Sequence, residues 1–522
     1  MCVRRFAADT RRVRSPVAAA LLLLATCLAA CGSSVSAAPA ALKHPREVRD
    51  ARSLVPRPAA AGSYEAGSPR LTNIWVHPKR GRDSASGARR NTALRTVSAA
   101  WRRIPEGEEL QGTGYRIMLA PGRYRAADVP VYWEKRYGTR EAPVIIAAAD
   151  GPGTVRLPAL NLFDVRYLYL EGVTVSARGG DVVHCERCDH FLIRRSRLAG
   201  RDETAETLKV NQSQHVYVER SDIFGAGDNA IDFVAVQHGH LLANRISHAG
   251  DWCAYAKGGS GDIRVAGNEI YACGTGGFSA GQGTGLQFMI PPWIQYEAYD
   301  VEVFNNFVHD TEGAGLGVNG GSGVLLAHNT LYRVGRRSHT IEVVFGGRSC
   351  DGRPGDHGRE RCRSYIEAGG WGTTEVDDGN NYVRIPNRDV LVLNNLVYNP
   401  PGHPRAGQLF TVFGSYDSAA QRASSGPSPA QADDGLQIRG NFILNGRGRT
   451  PLGIGGGGSG CPPSHPTCNP LQLRAENVLN RGRRGLANPR RGDFRPSTLA
   501  ARTPTFALPG ALGASPRPPG AF

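Results

Sequence analysis

Aromatic side chains are scarce in this sequence, with 16 Phe and 6 Trp among 522 residues, whereas Gly (66) and Pro (34) are abundant. This balance favours tight turns and short strands over packed helices. No stretch resembles a nucleic-acid-binding motif, so we do not expect a nucleic acid as partner. The chain is longer than one ordinary globular core requires, and a single repeat domain, which grows linearly, fits this length best.

The apolar run near the N-terminus, VAAALLLLATCLAA, is too short for a stable membrane anchor. It follows five arginines, as in a secretory signal, which we assign to residues 1–30. The stretch Leu28-Ala29-Ala30-Cys31 resembles the bacterial lipobox. The resemblance implies lipidation of Cys31 and a protein anchored to the cell envelope, at the outer membrane or cell surface, by its lipid alone. The alternative is an ordinary secretory signal followed by an unrelated cysteine.

The remaining cysteines agree with export. Apart from Cys2, Cys27 and Cys31, eight cysteines form sequence-local pairs, which is typical of disulfides in an oxidising compartment. The preferred pairs are Cys185/Cys188, Cys253/Cys273, Cys350/Cys362 and Cys461/Cys468. The C-x-x-C pair could instead be half of a zinc site, but no second half follows at a usable spacing.

A short phrase of apolar residues, two spacers and an Asn or Ser recurs along the chain. The punctuating residues are Ser196, Ser221, Asn244, Asn268, Asn306, Asn329, Asn395, Asn441 and Asn477. Four intervals are 25, 23, 24 and 23 residues, which indicates a solenoid with inserted loops in its longer repeats. The sequence therefore predicts an all-β fold, a right-handed parallel β-helix with coils about 4.8 Å apart. Each turn amide would bond to the amides of neighbouring coils.

Composition sets the domain limits. Residues 31–70 are rich in Ala, Pro and Ser and are assigned to a flexible tether, residues 71–497 to the β-helix, and residues 498–522 to a disordered tail. A set of residues near the start of the β-helix resembles the N-terminal cap of exported parallel β-helix proteins. These residues are Val76, Pro78, Gly81, Asp83, Gly87, Thr96, Ala100, Pro121, Gly122 and Tyr124. A cap is required because an open solenoid end exposes unpaired strand edges.

Counting back from the turn positions aligns several ionisable residues. His184, Lys209 and Asp232 each lie twelve residues before a turn Ser or Asn, and Lys257 lies eleven before Asn268. Lys257 would join the same register if its coil had a turn shorter by one residue. Their neighbours are apolar, so strand alternation points this column outward.

The region around Lys257, GDWCAYAKGGSGDIRVAGNEI, resembles the parallel β-helix polysaccharide lyases of the alginate-lyase and chondroitinase-B-like branch. The resemblance implies β-elimination on an acidic, uronate-containing polysaccharide with Lys257 as catalytic base. In the next coil, Gly281 and Gln282 stand where that branch has arginine and histidine. Lys209 and His184 are further catalytic candidates, and Gln282 is a candidate substrate-binding residue.

Two further groups complete the predicted site. Asp228, Asp232 and Asp251 offer the oxygen ligands that calcium prefers, and calcium could neutralise the substrate carboxylate. The inserted loops contribute aromatic side chains, which would bind sugar: Trp293, Tyr296 and Trp371.

Alternative functions remain open at this point. Asp232, paired with Asp228 or Asp251, could supply the two carboxylates of a glycoside hydrolase. A non-catalytic glycan-binding surface protein is a third class. In each case we expect a monomer. The formal net charge of +16 suits an acidic polysaccharide partner but could also reflect Arg-rich codon usage. Glu206 is assigned to a solvated turn.

Overall fold

Three long parallel sheets run through a computed structural model that describes residues 62–351, 357–375, 383–509 and 519–521. The signal segment, Cys31 and the tether up to residue 61 lie outside these residues. Sheet A contains Leu71–Val76, Gly114–Leu119, Val144–Ala148, Leu168–Glu171, Asp189–Arg194, Gln214–Glu219, Gln237–Leu242, Ser260–Ala266, Ala298–Phe304, Gly321–Ala327, Arg388–Leu393 and Gln437–Arg439. Sheet B contains Gly122–Arg123, Val155–Leu157, Thr174–Ser176, Arg197–Ala199, Asp222–Ala226, Arg245–Ala249, Glu269–Cys273, Phe307–Thr311, Thr330–Tyr332, Leu396–Asn399, Phe442–Asn445 and Val478–Leu479. Sheet C contains Trp133–Glu134, Leu160–Phe163, Val183–Glu186, Leu208–Asn211, Ile231–Val234, Trp252–Lys257, Gly276–Gly281, Ala314–Asn319, His339–Val344 and Gln408–Val412.

From Gly114 to Val412 the chain visits the three sheets in turn, apart from the short inserted strands, so each coil in this range contributes one strand to each sheet. This is the predicted right-handed parallel β-helix, and its core is the column of apolar side chains enclosed by the sheets. The remaining strands form small sheets: Gly283–Gly285 with Gly346–Ser349 and Val383–Ile385, Ser415–Tyr416 with Ala430–Gln431, and Leu486–Asn488 with Asp493–Pro496. The α-helices are Val97–Trp101, His357–Glu367, Ala419–Ala423, Pro470–Glu476 and Thr498–Ala501. The 3-10 helices are Arg90–Thr92, Ala126–Asp128, Leu286–Phe288 and Pro489–Arg491. No helix in the described part of the chain is long and apolar enough to cross a membrane.

The predicted turn column is a continuous hydrogen-bonded ladder between sheets A and B. The Oδ1 atom of Asn306 accepts from the backbone N–H of Asn268 at 3.0 Å and from its Nδ2 atom at 2.9 Å. The Nδ2 atom of Asn306 donates in turn to Asn329 Oδ1 and to the carbonyl of Val265, both at 2.9 Å. The same pattern joins Asn244 to Asn477, so each buried amide is satisfied by its neighbours.

All four predicted disulfides are formed. They join Cys185 to Cys188, Cys253 to Cys273, Cys350 to Cys362 and Cys461 to Cys468. The C-x-x-C pair is therefore a disulfide in this fold and offers no thiolate to zinc.

The predicted cap is also present. Asp83 accepts backbone N–H bonds from Arg95 and Thr96, both at 2.9 Å, and so holds the loop before the short helix Val97–Trp101. The Tyr124 hydroxyl bonds to the carbonyls of Val76 and Ala120 beneath this helix.

Both ends of the β-helix domain extend beyond the limits predicted from composition. Tyr64 belongs to the predicted tether, yet its ring stacks on Tyr217 at 4.5 Å and its N–H donates to Glu219 at 2.6 Å. Thr498–Ala501 is helical, and the N–H of Phe506 donates to Asn394 at 2.9 Å. Domain limits predicted from composition do not include these segments, because the segments are held against the coils by a few individual side-chain and backbone contacts.

Candidate active site on the outer face of sheet C

Three of the four residues predicted to share a register do so. His184 pairs with Lys209 and Lys209 with Asp232 in adjacent strands of sheet C. Their strand neighbours are buried in the core, as the alternation predicts, so the column faces outward.

Lys257 is not the fourth member, which corrects the predicted register. Tyr255 pairs with Asp232, and Lys257 pairs with Val234, two residues further along the strand. The turn that follows Lys257 is one residue longer than that of the previous coil, not one shorter. It contains Gly258 and Gly259, whose φ angles of 64° and 80° lie in the left-handed region that glycine tolerates.

Lys209 is held between two carboxylates. Its Nζ atom lies 3.1 Å from Glu206 Oε1 and 3.2 Å from Asp232 Oδ2. Burial alone would lower the pKa of Lys209, but the charges of Asp232 and Glu206 outweigh it and raise the pKa above its ordinary value. Lys209 is therefore a cation at neutral pH.

Glu206 was assigned to a solvated turn, and this prediction is wrong, because only 5% of the residue is exposed. Burial, followed by its hydrogen bond to Asp181, raises the pKa of Glu206 to about 8, although the charge of Lys209 opposes the shift. Burial also acts against ionisation of Asp181, but hydrogen bonds from His184 and Glu206 lower its pKa to about 2. Near neutral pH this pair therefore holds one proton, on Glu206.

His184 completes this group. Its Nδ1 atom lies 3.2 Å from Asp181 Oδ2, and its Nε2 atom lies 3.4 Å from the amide nitrogen of Asn211. A carboxylate at Nδ1 selects the tautomer that leaves a lone pair on Nε2.

Lys257 belongs to a second group on the same face. Its Nζ atom lies 3.1 Å from Gln282 Oε1 and 4.4 Å from the ring centre of Tyr255. The Nε2 atom of Gln282 lies 3.4 Å from Asp251 Oδ2. Tyr255 lies next to both groups, because it is the register partner of Asp232 and its ring contacts Lys257. Its hydroxyl accepts from Asn229 at 3.0 Å.

The predicted calcium ligands do not form a common site. Two groups of three in the described part of the chain have all their ligand atoms within 4.8 Å, and neither contains Asp228, Asp232 or Asp251. Asp232 is committed to Lys209. Burial raises the pKa of Asp228, and the charge of Asp251 adds to this shift. The three carboxylates do not converge in this structure, and calcium binding by them stays a prediction.

The two insertions form a wall beside this face. The carbonyl of Phe288 accepts from Gln212 at 3.3 Å, in the coil of Lys209, and the Phe288 residue is 46% exposed. The Cys350–Cys362 disulfide packs with apolar residues of the first insertion and joins the second insertion to it.

The predicted sugar-binding aromatic residues pack on one another. Tyr296 lies 4.9 Å from Trp371, and both Trp293 and Tyr296 contact Tyr299, with ring centres at 5.1 and 5.6 Å. The backbone of Trp293 lies against Gly259, so this cluster adjoins the turn after Lys257. Contact with a sugar stays a prediction for these three residues.

Sequence reasoning missed Asp181, Glu206, Asn229 and Tyr255. A regular spacing could have found the first three, because each lies three residues before a member of the column. Tyr255 could have been placed beside Asp232 only if the length of the turn after Lys257 had been known.

No family model and none of the curated proteins matches the chain. Several solved structures are similar to it. A rhamnogalacturonan lyase has 11% identity and a TM-score of 0.45, over 71% of this chain and 87% of that one. A pectate lyase has 14% identity and a TM-score of 0.43, over 88% and 97%. A PL6 family polysaccharide lyase from Pseudopedobacter saltans has 15% identity and a TM-score of 0.35, over 74% and 90%. At this level of identity, the activities of those proteins are not transferred to this chain.

Proposed function

We propose that the outer face of sheet C cleaves an acidic polysaccharide by β-elimination. The observation that carries the proposal is Lys209, a half-buried cation bound by Glu206 and Asp232 and aligned with His184. In such a reaction a base removes the proton next to a uronate carboxylate, and the 4-linked sugar then leaves. A cation must stabilise the carboxylate as it acquires enolate charge.

Lys209 suits the role of this cation better than that of the base. The Asp232 carboxylate and the hydrogen bond to Glu206 keep it protonated, so it has no lone pair with which to accept a proton. Because Glu206 is neutral near pH 7, Asp232 is the anionic partner with which a substrate carboxylate would compete.

His184 and Lys257 are the two candidate bases. Asp181 orients the His184 ring and leaves Nε2 as the proton acceptor, which favours His184. Lys257 has a neutral hydrogen-bond partner in Gln282, and it forms no ion pair with any residue that the structure describes, unlike Lys209.

Glu206 is the candidate acid for the leaving group. The proton from the sugar carbon passes to the base, and the electron pair of that bond forms the new double bond. The bond to the glycosidic oxygen breaks, and this oxygen takes the proton of Glu206.

Hydrolysis is the second candidate, and Glu206 is also the observation that favours it. A protonated Glu206 and the Asp232 carboxylate would form the acid and nucleophile of a retaining glycosidase. Both contact the same Nζ atom, at 3.1 and 3.2 Å, so these oxygens are closer than the roughly 6.5 Å or more that an inverting pair requires.

One assay separates these functions. The protein is incubated with alginate, pectate, polygalacturonate, chondroitin sulfate and heparan, and the ultraviolet absorbance of an unsaturated product is followed together with reducing ends. Absorbance supports β-elimination, whereas reducing ends without absorbance contradict it and support hydrolysis. Binding with neither signal would support a non-catalytic protein.

The variants His184→Ala and Lys257→Ala then assign the base. The residue whose removal abolishes the elimination rate is the base, and an unchanged rate excludes the residue that was removed. Lys135→Ala, remote from sheet C's central coils, is the control.

Export and lipid anchoring through Cys31 are proposed on the sequence pattern, and the four disulfides are compatible with an oxidising compartment. Metabolic labelling with a fatty acid tests the anchor. Label should enter the native chain and be lost in Cys31→Ser.

A further inference from the structure

Five arginines line a groove on the outer face of sheet B, in the first coils of the β-helix. The arginine groove has a volume of about 570 Å³, and its arginines are Arg123, Arg156, Arg178, Arg197 and Arg201. Arg123 and Arg156 are neighbours in adjacent strands, and Arg197 is next to Thr174 in the same sheet. Strand alternation directs Arg156 outward because Val155 and Leu157 are buried.

These arginines have few partners of their own. All five are exposed, and none forms an ion pair with a residue in the described part of the chain. Arg197 lies over the ring of Phe224 at 4.5 Å, which holds its planar group at the groove. Further along the same sheet the pattern changes, because Arg245 pairs with Glu269 at 2.9 Å.

Among the described residues, no carboxylate lines the arginine groove. Asp222 is the register partner of Arg197 and lies two residues before the lining residue Phe224 on the neighbouring strand. Like charges held together on a scaffold repel one another, and a bound anion relieves this repulsion. The guanidinium fork matches the planar carboxylate and the oxygens of sulfate with paired hydrogen bonds.

The shape of the groove selects a chain-like ligand. Arg123, Arg156 and Arg197 share one register position on coils about 4.8 Å apart, with Thr174 at that position on the coil between the last two, so positive charges recur along the solenoid axis. Arg178 and Arg201 each lie four residues further along the coils of Thr174 and Arg197. A recess with this repeat suits a linear polymer that carries an anionic group on most of its units. A planar lipid surface would instead require the arginines on a flat or convex face.

We infer that the arginine groove binds a segment of a linear anionic polysaccharide. The groove lies on sheet B, whereas the candidate active site lies on sheet C, so binding there does not depend on cleavage. The ligand class is defined by carboxylate or sulfate groups that recur along a sugar chain. Such a site would hold the polymer on the protein surface.

The test measures binding of a galacturonate hexamer and a sulfated heparin hexamer by calorimetry. The protein is the full chain carrying Lys209→Met and Lys257→Met, which disables the proposed active site. The groove variant adds Arg123→Gln, Arg156→Gln and Arg197→Gln. A matched control adds Arg481→Gln, Arg483→Gln and Arg484→Gln, exposed arginines near the other end of the β-helix that remove the same charge.

We expect at least one hexamer to bind, with a Kd that rises about tenfold or more in the groove variant and less than about threefold in the control. Equal losses in both variants would mean non-specific attraction and would overturn the proposal. Absence of binding by either hexamer would also overturn it.

A third arm uses phosphatidylglycerol vesicles, and groove-dependent binding of vesicles without hexamer binding would assign the groove to lipid headgroups instead. The thermal unfolding midpoint of each variant checks that it is folded.

Discussion

Arg348 and Glu297 form an ion pair in which neither side chain is exposed, with Nη2 of Arg348 2.6 Å from Oε1 of Glu297. The pair joins the two insertions beside sheet C. The other carboxylate oxygen, Oε2, accepts the N–H of Gly258 at 3.0 Å, so the same glutamate also holds the turn after Lys257. The insertions and one part of the candidate site are therefore mechanically connected.

Replacing one partner of this pair should destabilise the protein. Arg348→Met leaves the Glu297 charge buried without its cation, and the expected cost is about 3–5 kcal/mol in the free energy of unfolding. Urea denaturation measures it. Arg422→Met is the control because its pair with Asp417 is exposed to solvent, so its expected cost is much smaller. Equal costs would contradict the assigned role of the buried pair.

The positive charge of Lys209 should be required for activity. Lys209→Met removes the charge that would stabilise the substrate carboxylate, and we expect kcat to fall by about a hundredfold or more. Lys209→Arg keeps the charge and should retain a larger part of the rate. The initial rate of product formation measures both, with the exposed Lys79→Met as control. Similar rates for the Met and Arg variants would show that charge is not the function of this residue.

Activity should decrease as the pH rises through about 8. Below that pH Glu206 carries the proton that the leaving group needs, and above it Glu206 is an anion that also repels an acidic substrate. The dependence of kcat on pH measures this. Glu206→Gln should lower the rate and abolish the decrease near pH 8, and a decrease that persists in this variant must come from another group.

The segment around Tyr64 should make stability depend on pH. Burial opposes ionisation of Glu219, but bonds from His240, the Tyr64 N–H and Arg194 lower its pKa to about 2. Its stabilising effect is therefore present above the ordinary glutamate pKa of 4.5 and is lost as the pH falls towards 2.

A chain that begins at residue 71 lacks the Tyr64 contacts. Compared with a chain that begins at residue 62, its free energy of unfolding should be lower by about 1–3 kcal/mol at neutral pH. The difference should be smaller at pH 3. Circular dichroism during urea unfolding at both pH values measures it, and a difference that is independent of pH would exclude Glu219 as its source.

The asparagine ladder should tolerate serine better than alanine. Asn306→Ala leaves the backbone N–H and the Nδ2 atom of Asn268 without their acceptor. We expect the free energy of unfolding to fall by about 2–4 kcal/mol. Ser221 accepts the N–H of Ser196 at 3.0 Å in an earlier coil, so Asn306→Ser should preserve the backbone bond and lose less. Thermal unfolding shows which of the two variants is the more stable. Equal losses of stability would show that the backbone hydrogen bond contributes little.

The repeat predicted most of the fold because strand alternation and turn amides are local properties. The register of His184, Lys209 and Asp232 followed from the same count and is present in the structure. The count failed at Lys257, since the extra residue in the turn before Asn268 shifts every residue counted back beyond it by one position. It also failed for Glu206, because the environment of this residue includes Asp181 of the preceding coil.

The amino-acid sequence by itself determined the solenoid and its Asn ladder, because these depend on residues that recur at a nearly constant spacing. It also determined the pairing of the cysteines, because the partners are close together in the chain. Only the tertiary structure decided which charges meet. Glu206 bonds to Asp181 and the Arg348–Glu297 pair is buried because stacking and inserted loops bring distant segments together. The free energy of a charge depends on its surroundings in three dimensions, and a one-dimensional pattern does not contain them.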